Sequence, residues 1–147
     1  MWSRPSFLVQ AGMCSWCPIA SRLRRLSIAW NGGRESARAL AEALAYLNKA
    51  KEVTVLVVDD ESSTELQTAL GTDAVNHLKH HGINVALHRA RIRDGGVGAT
   101  LIAEARRLNA DLIVMGGYGH SRLREWLLGG RTYELLHNAP IPLLVAH

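Results

Sequence analysis

At 147 residues, 48% hydrophobic and 20% charged, the chain has the size and mix of one globular domain, which argues against wholesale disorder. No uncharged apolar run reaches the roughly 18 residues of a membrane helix, two cysteines make neither a disulfide scaffold nor a four-cysteine zinc site, and four Trp, three Tyr and one Phe are poor material for base stacking. The formal charge is +4, held by residues 1–27 with Arg4, Arg22, Arg24, Arg25 and no acid; the rest carries 13 charges of each sign, which argues against a nucleic-acid-binding body.

Residues 1–25 are weakly patterned and form a basic extension. The apolar stretch 7–20 is interrupted by Gln10, Ser15 and Pro18, and the arginines mostly follow it, which disfavours a cleaved signal. Pro5-Ser6-Phe7-Leu8-Val9 echoes Pro142-Leu143-Leu144-Val145. That echo predicts a strand over 4–9, laid against the final strand within one chain or exchanged between two, as a remnant of a preceding unit would be.

From residue 26 onward strands and helices alternate. Residues 26–30 read as a strand, followed by a helix with Ala37, Leu40, Ala41, Leu44 and Leu47 on one face. Residues 53–58 are a mostly β-branched run, with Thr54 its one polar interruption, of the kind buried on both faces. A second helix is expected over 64–81, stopped by Gly82, and a third strand over 83–90. Asp94 is the expected cap of a third helix carrying Val97, Leu101, Ala105 and Leu108. A fourth strand is expected over 111–115, helical character over 121–138, and a fifth strand over 142–146, where prolines at 140 and 142 suit an edge. The rhythm predicts an α/β fold: an open, doubly wound, five-stranded parallel sheet over 26–147.

The most informative stretch runs Leu112-Ile113-Val114-Met115-Gly116-Gly117-Tyr118-Gly119, then nine residues, then Gly129-Gly130-Arg131-Thr132. Glycines after a buried strand let backbone come close to a ligand, and the helix-capable segment from Arg131 offers N–H groups to an anion. Arg122, Arg124 and Arg131 add charge nearby. Ligands of open α/β sheets lie where the strand order reverses, and Asn31 and Gly116 end the two strands expected there. No lysine completes a Walker loop, and Arg122 stands where a dinucleotide fingerprint needs glycine.

At these residues the sequence resembles the universal stress protein family. Gly116, Gly119 and Gly129 match its nucleotide-binding spacing, residues 132–145 look like its closing helix and strand, and 28–37 like its opening strand and turn. The resemblance implies an adenine-nucleotide-hydrolase-like domain that binds ATP in some members and is often dimeric or tandem. It implies contacts from Ala29, Trp30 and Asn31, from Val58, and from Met115, Gly116, Gly119, Gly129, Gly130, Arg131 and Thr132. It also implies a cytoplasmic sensor or adaptor, with at most slow ATP hydrolysis, and a homodimer through the strand at 142–146.

Two departures matter. Asn31 replaces the usual Asp, which removes a partner for Mg²⁺, and Gly130 replaces the motif's Ser/Thr, with Thr132 as substitute. They support an alternative: an interaction module of the same fold that binds no nucleotide and acts through dimerisation. Asn31 is read either as a helix cap or as a ligand contact. Cys14 and Cys17 have redox spacing without its context, and His77 and His81 have ligand spacing without a third ligand. Asp59-Asp60-Glu61 is expected to favour the dipole of the second helix, and no residue set argues for catalysis or a metal.

Overall fold

Along residues 25–29, Leu26 and Ile28 face one side and Ser27 and Ala29 the other, the two-residue period of a strand covered on both faces. The computed structural model describes residues 8–9, 23–59, 65–116 and 140–146. Its elements are β1 (Leu8–Val9), β2 (Arg25–Ala29), α1 (Arg34–Leu47), β3 (Glu52–Asp59), α2 (Glu65–His80), β4 (Val85–Arg91), α3 (Gly96–Arg107), β5 (Leu112–Gly116) and β6 (Leu143–Ala146). The sheet order is β1-β6-β5-β2-β3-β4.

Strands β2 to β6 are mutually parallel where they pair. The chain steps outward from β2 to β3 and β4, then crosses back to β5 and on to β6. The expected doubly wound five-stranded sheet therefore forms, and its order reverses between β2 and β5. β1 adds antiparallel to β6, Leu8 opposite Leu144 and Val9 opposite Leu143.

Helices cover both faces. Ala39, Leu40, Ala43 and Leu47 of α1 and Ala74, Val75 and Leu78 of α2 pack on Leu26, Ile28, Val53, Val55, Val57, Leu112 and Val114. On the other face, α3 places Ile102 and Ala105 with Ile113, Met115 and Leu143, and Leu101 with Leu56 and Ala90. Each large apolar side chain so buried contributes about 1.5–3 kcal/mol of transfer free energy, and this burial rather than helix propensity holds the layers together.

Polar groups set the boundaries. One carboxylate oxygen of Asp111 accepts from the N–H groups of Arg24 and Arg25 at 2.8 and 2.9 Å, tying the start of β5 to the start of β2. Gly82, at φ +74°, ends α2 as expected. Asp94 does not cap α3. The N-cap is Gly95 at φ +103°, reached through a turn in which the Gly96 N–H donates to the Arg93 carbonyl. Thr100 lies one turn in, its hydroxyl donating to the Gly96 carbonyl at 2.9 Å and accepting from the Arg93 N–H at 3.0 Å. The tight glycine turn thus does the work expected of an aspartate.

Candidate functional site

The carboxyl ends of β2, β3 and β5 lie side by side around the point where the strand order reverses. Ala29 ends β2 on the α3 face and packs against two clusters at once, one containing Met115 of β5 and one edged by Val58 of β3. Ala29 thus joins two apolar clusters drawn from strands far apart in sequence. Trp30 turns to the opposite face, half-buried against the α1–α2 core, and its N–H donates to the Leu56 carbonyl at 2.9 Å.

Asn31 is exposed just beyond the strand, and its side-chain oxygen serves the start of α1. Oδ1 accepts from the Gly33 N–H at 2.8 Å, the geometry of an Asx turn, and lies 2.8 Å from the hydroxyl of buried Ser36. The Ser36 hydroxyl is also 2.8 Å from the Gly33 carbonyl, so its one proton serves two acceptors. Because Oδ1 faces an N–H, the amide orientation is determined, and Nδ2 is the group left for other partners.

Gly116 closes β5 against the same helix start. A Cβ there would stand 2.5 Å from the carbonyl carbon of Glu35 and 2.7 Å from the nitrogen of Ser36. The backbone that approaches Gly116 is that of α1, so any contact this residue makes with a ligand comes from its own main chain. Gly119, Gly129, Gly130, Arg131 and Thr132 lie outside the described residues, as do Cys14, Cys17, Asp60 and Glu61.

Two polar clusters escaped sequence reasoning. Asp59 does not serve the α2 dipole: it is the last residue of β3 and holds Arg89 of β4 through two bonds of 2.6 and 2.9 Å. This fork raises the Arg89 pKa, with the hydrogen bond the main cause, while Nη1 of Arg89 is buried without a hydrogen-bond partner among the described residues. The second cluster surrounds Glu104 of α3, whose side chain is 3% exposed. Arg93 Nη2 donates to one oxygen at 2.5 Å; His88 Nε2 at 2.9 Å and Arg107 Nε at 3.0 Å serve the other. The His88 hydrogen bond is the main cause holding this carboxyl below its ordinary value of 4.5; burial opposes it, and Arg107 and Arg93 add to the lowering. A visible signal existed: Glu104 interrupts an apolar helix face one turn before Arg107.

The rings of His77 and His81 meet edge to face at 4.8 Å. Among the described residues no group of three or more His, Cys, Asp or Glu is gathered to hold a metal, and no helix is long and apolar enough to cross a membrane.

A parallel sheet with helices on both faces, its strand order reversing between β2 and β5, defines a doubly wound α/β domain. The family is set by the sequence match: residues 23–147 fit the universal stress protein family, and the chain belongs to it. Universal stress proteins of Mycobacterium bovis and Mycobacterium tuberculosis are each 29% identical over 85 residues, 56% of this chain and 28% of theirs. The chain thus matches little more than a quarter of the length of these curated relatives.

Among solved structures, a universal stress protein in complex with cAMP superposes with a TM-score of 0.66 at 19% identity, covering 85% of this chain and 97% of its own. One from Arabidopsis thaliana with AMP bound gives 0.61 at 15%, covering 84% and 90%. UspA from Lactobacillus plantarum gives 0.59 at 19%, covering 85% and 98%. At these identities the likeness shows the fold.

Proposed function

We propose that this chain is an adenine-nucleotide-binding stress-response protein, a cytoplasmic sensor or adaptor that binds ATP or a related nucleotide and hydrolyses it slowly at most. The observation that carries the reading is the packing of Ala29 against two apolar clusters, one containing Met115 and one bordered by Val58, at the carboxyl ends of three strands, where nucleotides bind in such sheets. Trp30, Asn31 and the main chain of Gly116 border these strand ends. Gly119, Gly129, Gly130, Arg131 and Thr132 would supply the phosphate cradle, by the motif spacing. Family members solved with cAMP and with AMP support an adenine nucleotide as the ligand class.

Asn31 argues against dependence on Mg²⁺, because its oxygen already faces two donors and an amide carries no charge. Assembly as a homodimer through residues 142–146 belongs to the same reading. Titration calorimetry with ATP, ADP, AMP and cAMP, each with and without Mg²⁺, tests it. Heat of binding that is indifferent to Mg²⁺ is expected. No heat with any of the four at millimolar concentration overturns the reading in favour of an interaction module that binds no nucleotide.

A further inference from the structure

The two ends of the sheet are chemically unlike. β4, at one end, carries His88, Arg89 and Arg91 within seven residues, and charge on an edge strand discourages the addition of another strand. β6, toward the other end, reads Leu-Leu-Val-Ala with no charge at all. On its inner side β6 pairs all four residues with β5; on its outer side β1 pairs with two, Leu143 and Leu144. Among the described residues the apolar edge is covered from within the chain, and covered in part.

The register of that cover is informative. Leu8-Val9 repeats Leu144-Val145, and the pairing sets Leu8 opposite Leu144, like residue facing like. A two-fold axis through Leu144 would place the β6 of a second copy in the same antiparallel register, with 144 facing 144 and 143 facing 145. β1 therefore occupies the edge as a second β6 would, with fewer residues opposed.

We propose that β1 is a displaceable cover for the β6 edge, and that the partner it holds off is β6 of a second copy of this chain. This rests on the homodimer reading above. Residues 10–24 tether β1 to β2, so its pairing is intramolecular and enjoys the high effective concentration of a short linker. A second copy must outcompete that tethered strand, and dimerisation is weaker than the bare edge would allow.

The test is sedimentation equilibrium on the full chain and on the full chain carrying Leu8→Pro and Val9→Pro, since proline cannot donate to a ladder. The variant should dimerise at least about tenfold more tightly. Amide exchange at Leu143, which β1 opposes through Val9, should be slow in the parent at every concentration, and slow in the variant only where it is dimeric. Equal dimerisation constants would overturn the cover while leaving the homodimer intact. Monomers of both proteins at millimolar concentration would overturn the homodimer and the cover together. If the variant does not fold, a synthetic peptide of residues 4–10 decides the question. Millimolar peptide should dissociate the parent dimer, and a dimer indifferent to it overturns the proposal.

Discussion

Gly116 and Glu35 meet main chain to main chain: a single added carbon on Gly116 would lie 2.5 Å from the carbonyl carbon of Glu35. The end of β5 and the start of α1 are thereby locked at a distance that only glycine permits. Gly116→Ala must push α1 off the sheet, and overpacking of this kind typically costs about 1–3 kcal/mol. Urea denaturation should show a lower midpoint at unchanged slope. A midpoint equal to the parent's would mean that the contact relaxes without cost.

Glu104 and its arginines should respond unequally to mutation. Glu104→Gln places a neutral amide among three donors in a buried position, and about 1–3 kcal/mol of stability should be lost. Arg93 and Arg107 have side chains 60% and 62% exposed, so Arg93→Ala or Arg107→Ala should each cost less than about 1 kcal/mol. Equal losses from all three would show that the carboxylate is not the centre of the cluster.

The same carboxylate predicts a pH dependence. Its pKa in the folded chain is depressed, so the unfolded chain binds the proton first as pH falls. The stabilisation is complete above the ordinary value of 4.5 and disappears as pH drops through the lower folded value. The groups that face it are His88, Arg93 and Arg107, and Arg107 Nη2 also lies 3.0 Å from His88 Nε2. Urea midpoints measured from pH 6 to pH 3 should fall more steeply in the parent than in Glu104→Gln. Parallel curves would count against this assignment.

Asn31→Asp separates the local role of this residue from its proposed role toward nucleotide. A carboxylate can still accept from Gly33 and Ser36, and it brings negative charge to the start of α1, which should add about 0.3–1 kcal/mol of stability at low salt. It should also make nucleotide binding Mg²⁺-dependent. A more stable variant whose binding ignores Mg²⁺ would mean that the turn caps the helix without facing the phosphates.

Legibility in the sequence followed the range of the interactions. The Val53–Val58 run, the helical spacing from Ala37 to Leu47 and the stop at Gly82 are local patterns, and the elements formed within a residue or two of expectation. What decided the roles of Asp59, Asp94 and Gly116 was the element lying opposite each one. Asp59 belongs to Arg89, thirty residues away, and no local pattern announces that pairing. Asp94 lost its place to a turn in which Gly95 and Gly96 both take positive φ, a conformation glycine supplies without strain. For the candidate site, the strand ends were legible because the βα alternation fixes where they must lie. That Asn31 would turn its oxygen inward depended on Ser36 being buried one turn away.

The unlike ends of the sheet carry a consequence for how this protein can aggregate. A sheet with two receptive margins can lengthen without limit, each added unit offering a fresh place for the next. Here the margin at β4 carries arginines, and charge on an edge strand discourages the addition of another, so growth is favoured in a single direction. Two copies joined at β6 would use up the only receptive margin each possesses among the described strands. Such growth terminates at a pair, and the same feature that permits association bars the route to fibres.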